Sequence, residues 1–253
     1  MTRLDKLPGR TLAISTLTLL VPFVAIGMQH ALSNEPGQSQ VSATGVLEGH
    51  VRLSDESWPA PTRIRNTTDP EVCGPKQNLE DLLVSAETRG IQNVIATLVG
   101  VPSNRVPATA PQRFVIDNRD CRFIPHVVVA RVGDTVVAKN SDSILHNTHY
   151  YGPMASNIAL PFKGMTVSRV LRRSGVVTVL CDIHGWMQAV IRVDDHSLHS
   201  VSDELGFLRI SGIPAGSYTL ELWHETLGIQ RVEVGIRQDE TTLLNFEFSL
   251  PSD

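Results

Sequence analysis

Short runs of β-branched and apolar residues, separated by turn-forming residues, recur along most of the chain. From residue 113 the runs are RFVID, HVVVARV, DTVVAKN, VSRVLRR, GVVTVLC and QAVIRV, and a further series follows residue 206. Glycine, asparagine, aspartate and serine interrupt these runs at short spacing, which is typical of antiparallel sandwiches and barrels. The pattern therefore predicts an all-β protein built from two modules.

The region before residue 111 is less regular. The stretch GVLEGHVRL, residues 45–53, alternates well enough to predict a strand, and residues 54–77 are rich in turn formers and predict a long loop. Residues 79–101 contain two apolar runs on either side of Arg89 and Gly90. These runs predict two strands, with a short helix over NLEDLLVSA as the alternative.

The N-terminus has the pattern of a targeting segment. Arg3, Lys6 and Arg10 precede the uncharged run TLAISTLTLLVPFVAIGM. A basic stretch before an apolar one predicts an export signal over residues 1–28, but the run is also nearly long enough for an uncleaved membrane anchor. Both alternatives place the remainder outside the cytoplasm, in the periplasm or a similar compartment. Residues 29–44 are polar and predict a linker.

Charge and cysteine content narrow the range of functions. The formal net charge of −4 gives no reason to expect a nucleic-acid partner. Three cysteines are present; Cys181 belongs to the motif described next, which leaves Cys73 and Cys121. In an oxidising compartment these two are predicted to form a disulfide, with two free buried thiols as the alternative. Closing that loop would stabilise the fold by about 4 kcal/mol in the chain-entropy treatment.

One stretch, VLCDIHGWMQAVIRV, concentrates metal-binding chemistry. It places a thiol, an imidazole and a thioether at three-residue intervals, in Cys181, His184 and Met187. This soft ligand set favours copper, and zinc sites rarely use a thioether. A blue-copper site also needs a second histidine. The segment KNSDSILHNTHYYG, just after a predicted strand, offers His146 and His149.

The same region resembles the cupredoxin family, the group of plastocyanin, amicyanin and pseudoazurin. The resemblance is carried by CRFIPHVVVARVGDTVVAKNSDSILHNTH followed by GVVTVLCDIHGWM. It covers residues 111–195 and implies a Greek-key β-sandwich that binds one type 1 copper per chain. It also implies the ligand set His146, Cys181, His184 and Met187, with Asn147 helping to tie the two ligand loops together.

The resemblance implies a one-electron carrier rather than an enzyme. Redox partner proteins are expected to dock near an exposed edge of His184, framed by Trp186, Ile183, Pro161 and Phe162. Copper oxidases and nitrite reductases need a further metal site, usually marked by His-x-His pairs, and the sequence contains none. The alternatives are a copper storage or delivery protein and a metal-free β-sandwich interaction module.

The C-terminal stretch GFLRISGIPAGSYTLELWHETLG resembles the carboxypeptidase regulatory-like, or transthyretin-like, β-sandwich, which is a noncatalytic support. The predicted divisions are an N-terminal β extension over residues 45–110, the copper domain over 111–195 and this module over 196–253. Because GVLEGHVRL resembles the opening strand of the same family, the copper domain is hypothesised to be inserted between two halves of the module. His224 is interpreted as structural, and His196 and His199 as linker residues.

Overall fold

The computed structural model describes residues 43–251, so the predicted signal or anchor and all but the end of the predicted linker lie outside the described residues. Strands dominate this range, which confirms the all-β class, and none of its helices is long and apolar enough to cross a membrane. The elements are β1 (Thr44–Leu53), β2 (Arg63–Arg65), α1 (Pro70–Cys73), β3 (Lys76–Asn78), β4 (Ile95–Val99), a 3-10 turn (Ser103–Arg105), β5 (Arg113–Arg119), β6 (Arg122–Ile124), β7 (Val127–Arg131), β8 (Thr135–Asn140), β9 (His146–Tyr151), β10 (Ser156–Leu160), β11 (Thr166–Val170), β12 (Gly175–Leu180), β13 (Gln188–Asp194), β14 (His199–Val201), β15 (Phe207–Pro214), β16 (Gly216–His224), β17 (Gly228–Ile236) and β18 (Thr241–Phe248).

Strands β5 to β13 build a two-layer sandwich. One sheet has the strand order β10-β9-β12-β13-β7 and the other has the order β11-β8-β5-β6. Side chains from both sheets share one core, to which Ile116, Phe123, Tyr150 and Ile191 belong. This arrangement agrees with the β-sandwich predicted for this part of the chain and forms the frame of the candidate site.

A second sandwich combines strands from both ends of the described chain. β1 pairs antiparallel with β15 and parallel with β18, and β4 lies between β14 and β16, with β17 at the edge. Every second residue of β1 from Gly45 to Leu53 is buried. Because alternate residues of a strand point to the same face, one face of β1 packs into the core that these strands share. The hypothesised pairing between residues 45–53 and the C-terminal strands is therefore present. The domain boundaries at residues 110 and 195 stay predictions.

Of the two strands predicted over residues 79–101, the second is present as β4 (Ile95–Val99), whereas the first is absent and so is the alternative helix. NLEDLLVSA is not helical, and Val84 forms only an isolated bridge with Ile91. A Cβ atom on Gly90 would lie 1.8 Å from the carbonyl oxygen of Leu205. The chain therefore passes another backbone here so closely that only glycine fits, and regular strand structure resumes at β4.

The interpretation of His196 and His199 as linker residues is wrong. Asp194 Oδ2 lies 2.8 Å from His199 Nδ1, while its Oδ1 accepts a hydrogen bond of 2.8 Å from Arg192 Nε. His196 is only 8% exposed, and its Nδ1 accepts a hydrogen bond from a backbone N–H. The sequence alone does not distinguish polar residues of a linker from polar residues that are buried and paired with one another.

His224 is structural, as interpreted from the sequence. Its side chain lies in the second sandwich, where the residue is 2% exposed. Its Nδ1 accepts a hydrogen bond of 3.2 Å from the backbone N–H of Thr226. Burial disfavours the charged imidazole and lowers the pKa of His224 to about 4. The ring is therefore neutral in the folded protein near pH 7.

We expect acid to destabilise the protein through His224. The folded pKa of about 4 lies below the ordinary 6.5, so the unfolded chain takes up the proton first as pH falls. The stabilisation from the neutral ring is complete above pH 6.5 and is lost between pH 6.5 and 4. At 1.36 kcal/mol per pKa unit, the loss is about 3 kcal/mol.

Urea unfolding at several pH values measures this effect. The free energy of unfolding should fall less on acidification in His224→Gln than in the wild type. His50→Gln, in the same sandwich but on the partly exposed side of β1, serves as the control and should keep the wild-type pH dependence. Equal pH dependence of the wild type and His224→Gln would contradict the prediction.

Candidate metal centre

Two neighbouring strands bring the candidate ligands to one edge of the first sandwich. His146 is the first residue of β9, and Cys181 directly follows the last residue of β12. These strands are antiparallel neighbours, with Leu180 opposite His149. Because the start of one antiparallel strand lies beside the end of the other, His146 and Cys181 emerge at the same edge.

The loop from Cys181 to Met187 folds back on itself. The backbone N–H of Met187 donates to the carbonyl of His184 at 2.8 Å, and the N–H of Cys181 donates to the carbonyl of Met187 at 3.2 Å. Immediately beyond it, Leu180 pairs with Gln188 across β12 and β13. The loop is therefore a tight hairpin connection that turns His184 toward Cys181.

The structure brings three of the predicted ligands together. His146 Nδ1 lies 4.0 Å and His184 Nδ1 3.7 Å from Cys181 Sγ. One donor atom from each lies within 4.8 Å of the others, a spacing that could hold a metal ion. All three residues are buried. Met187 is also buried, in the same hydrophobic core as Cys181, and its role as a ligand stays a prediction.

A carboxylate holds the far nitrogen of each imidazole. His146 Nε2 lies 3.0 Å from Asp142 Oδ2, and His184 Nε2 lies 3.0 Å from Asp69 Oδ2. Asp142 is itself held by the backbone N–H groups of Asp120 and Cys121. A carboxylate on Nε2 fixes the tautomer that leaves Nδ1 free to bind a metal. Both imidazoles are thus oriented for Nδ1 to face the thiol.

Neither carboxylate was predicted from the sequence. Asp142 lies four residues before His146, and the rule that metal-binding histidines have a carboxylate or carbonyl partner could have found it. Asp69 lies 115 residues before His184, in a loop without periodic pattern. No local signal connects the two residues.

The surroundings of Cys181 favour its thiolate form. Burial raises the pKa of the thiol, but hydrogen bonds with His146 and His184 and with nearby backbone groups lower it, and the net pKa is about 6 instead of 9.0. The thiolate is the form of cysteine that binds metals. At neutral pH the sulfur is therefore ready to act as a ligand.

Asn147 hydrogen-bonds to the loop that carries Cys181. Its Oδ1 accepts a hydrogen bond of 2.8 Å from the backbone N–H of Asp182 and lies 3.3 Å from Cys181 Sγ. Its Nδ2 donates to Asp182 Oδ2 and to Asn157 Oδ1. These bonds join the segment of His146 to the segment of Cys181, which is the contact that the cupredoxin resemblance implies.

His149 lies apart from the cluster. Its side chain is 27% exposed and its Nδ1 lies 3.0 Å from Asp182 Oδ1. Its ring stacks on Tyr151 with the centroids 4.1 Å apart. The strand β9 separates His149 from His146 because residues three apart in a strand point to opposite faces.

The prediction that one edge of the His184 imidazole is exposed is wrong. The side chain is 0% exposed because Asp69, from the long loop before α1, covers its Nε2. Trp186 lies against the ring with the centroids 5.2 Å apart and donates its indole N–H to the carbonyl of Cys121. Phe162 is 72% exposed, but because His184 is buried there is no exposed imidazole edge for it to frame. Sequence reasoning could not place the loop here because turn-rich segments carry no contact information.

The predicted disulfide is present. Cys73 of α1 is bonded to Cys121, and within residues 43–251 the free cysteine is Cys181. The sulfur of Cys121 also lies within 4.8 Å of donor atoms of Asp142 and His146. Because this sulfur is already in a disulfide, it is not available as a thiolate ligand, although it lies beside the candidate site.

Comparisons with known proteins find cupredoxins among solved structures. A copper-containing nitrite reductase (NirK) from Thermus scotoductus is 22% identical at a TM-score of 0.30, with 38% of this chain and 25% of that chain covered. A purple cupredoxin from Nitrosopumilus maritimus is 23% identical at a TM-score of 0.29, with 33% of this chain and 99% of that chain covered. The reduced Cu(I) form of an amicyanin mutant is 23% identical at a TM-score of 0.28, with 39% of this chain and 98% of that chain covered.

No protein-family model and no curated protein matches the chain. This chain spans only a quarter of the length of the nitrite reductase. TM-scores this low do not support a conclusion about function. The functional conclusion therefore depends on the chemistry of the residues that meet at the site.

The donor set fits copper. It offers one thiolate and two imidazole nitrogens, with a buried thioether nearby, and soft or borderline donors of this kind suit copper far better than magnesium, calcium or manganese. His146, Cys181 and His184 would hold the ion, and the ligand role of Met187 stays a prediction.

Proposed function

We propose that this protein is an exported type 1 (blue) copper protein that binds one copper per chain and transfers single electrons. The observation that carries the proposal is the convergence of two imidazole Nδ1 atoms, 4.0 and 3.7 Å away, on one buried cysteine sulfur. Two histidines, one cysteine and a weak axial methionine are the ligands of blue-copper electron-transfer sites. His146, Cys181, His184 and Met187 supply this set.

The bound copper would supply a reversible one-electron couple. The residues of the chain would hold the ligand geometry nearly constant while that charge changes. His146 is fixed by Asp142, His184 by Asp69 and Cys181 by Asn147. Burial of the sulfur in a hydrophobic core is one of the features that tune the potential of such sites.

The proposal includes an extracytoplasmic, periplasmic location, in accord with the predicted export segment and the Cys73–Cys121 disulfide. It assigns no catalytic turnover, and it treats the second sandwich as a noncatalytic support of the regulatory-like kind. Redox partners are proposed to dock near His184, where they would meet the exposed side chains of Glu71 and Val72 before the buried imidazole.

Copper titration of the purified protein tests the proposal. We expect one Cu(II) per chain, an intense visible band that disappears on one-electron reduction and returns on reoxidation, and no steady-state reduction of nitrite or oxygen. Stoichiometric Cu(I) binding without a visible Cu(II) band would favour storage or delivery. Failure to bind copper at all would favour the metal-free interaction module.

A further inference from the structure

A short loop covers the candidate metal centre. We call residues 66–75 the cap. Its two ends are joined by hydrogen bonds from the Asn66 backbone N–H to the carbonyl of Pro75 and from Asn66 Nδ2 to the carbonyl of Gly74, at 3.0 and 2.7 Å. Asn66 Oδ1 also accepts from the backbone N–H of Thr68. Because Asn66 is only 4% exposed, these bonds are sheltered from water and close the cap on itself.

Two contacts hold the cap against the first sandwich. The disulfide between Cys73 and Cys121 is covalent, and Asp69 Oδ2 lies 3.0 Å from His184 Nε2. Cys121 lies next to the centre because its backbone N–H donates to Asp142, the partner of His146. The tether and the carboxylate contact thus anchor the cap to the surroundings of both imidazoles.

The conformation of Asp69 sets its carboxylate apart from an ordinary helix cap. Asp69 is the N-cap of α1, yet its side chain makes no capping hydrogen bond. Aspartate at this position ordinarily accepts a hydrogen bond from the first turn. Its backbone is left-handed, with φ of 46° and ψ of 48°, a region that residues with a side chain adopt infrequently, although aspartate and asparagine are enriched there. The left-handed backbone and the unused capping role leave the carboxylate directed at His184.

We propose that Asp69 is a positioning residue for the His184 ligand and that the disulfide-tethered cap delivers it while closing the imidazole against solvent. The proposal builds on the proposed function, in which His184 binds copper through Nδ1. A carboxylate on Nε2 makes an imidazole a stronger donor, and its negative charge favours the more positive oxidation state of a nearby ion. Asp69 therefore stabilises bound Cu(II) more than bound Cu(I).

The first arm of the test measures copper affinities and the reduction potential in Asp69→Asn. Asparagine tolerates the left-handed backbone, so the cap should keep its fold. Loss of an outer carboxylate partner typically weakens metal binding 10–100-fold. We expect Cu(II) affinity to fall about tenfold relative to Cu(I), which raises the potential by about 59 mV for one electron. Glu71→Gln, an exposed acidic residue of the same turn, is the matched control and should shift neither quantity.

The second arm uses metal-free protein and needs no copper chemistry. Diethyl pyrocarbonate should modify the 27% exposed His149 of the wild type and leave the 0% exposed His184 intact. In the double variant Cys73→Ser/Cys121→Ser the untethered cap should open, and modification of His184 should rise at least tenfold. Mass spectrometry of the labelled peptides measures both rates in one sample.

Each outcome decides one question. Protection of His184 together with the shift in Asp69→Asn but not in Glu71→Gln supports the positioning role. Equal potentials and affinities in the wild type and Asp69→Asn overturn it, and so does labelling of wild-type His184 as fast as His149. If copper-loaded wild type is colourless but His184 is protected, the proposed function fails while the closed cap remains.

Discussion

Replacing Cys181 by serine should abolish the visible band of the copper-loaded protein completely. The band requires a thiolate bound to Cu(II), and a serine hydroxyl stays protonated at neutral pH, whereas the pKa of Cys181 is about 6. The two imidazoles alone would bind copper more weakly and without the intense colour. Absorption spectra and competition titrations with a copper chelator measure both losses.

The fold should survive this change. Serine is smaller than cysteine and its hydroxyl can donate to Asn147 Oδ1, which lies 3.3 Å from the cysteine sulfur. We therefore expect the free energy of unfolding to change by no more than about 1–3 kcal/mol, the usual cost of burying an imperfectly paired hydroxyl. Thr178→Ser, at an exposed position of β12, is the matched control and should keep the full band. An intense band in folded, copper-loaded Cys181→Ser protein would show that another group is the chromophoric ligand.

The local part of the candidate site was predictable from the sequence. Cys181, His184 and Met187 lie within one turn, and their spacing places them in one loop whatever the remaining fold. The disulfide was also predictable, because the chain has three cysteines and assigning Cys181 to the metal site leaves only one possible pair. These predictions depend on short-range geometry or on elimination, and neither requires knowledge of the distant contacts.

The cap was not predictable. Asp69 and His184 are 115 residues apart, and the loop that carries Asp69 has no hydrophobic period that would assign it to a face. The disulfide predicted that this loop touches the first sandwich, but not that an aspartate would cover the imidazole. The expectation of an exposed His184 failed for this reason, since it took the site from a resemblance that does not extend to residues 66–75.

In the second sandwich, too, the sequence pattern predicted the strand but not which strand pairs with it. The alternation of β1 predicted a strand with one buried face, and that face is buried. Its parallel partner β18, almost 200 residues away, could not be read from alternation, because the same pattern suits any neighbouring strand. The resemblance to the opening strand of a known module supplied the long-range pairing that the pattern lacked.

The choice between His146 and His149 as the second imidazole ligand leads to a paired substitution. Both residues lie in β9, where His146 is 0% exposed beside Cys181 and His149 is 27% exposed beside Asp182. Glycine at either position carries the same backbone cost in a strand, about 0.5–1 kcal/mol relative to alanine. The two variants are therefore matched controls for each other.

His146→Gly should open a buried space next to the thiol and weaken Cu(II) binding at least about 100-fold, the upper end of what loss of an outer partner costs. Its spectrum should shift, and added imidazole should enter the space, restore the second nitrogen donor and return the band toward that of the wild type. His149→Gly should lose the contact of a partly exposed imidazole with Asp182 and its stacking on Tyr151, and should keep the band and ignore added imidazole. Rescue of His149→Gly instead of His146→Gly would transfer the ligand role to His149, and would mean that β9 rotates on binding copper, since its present register directs His149 away from Cys181.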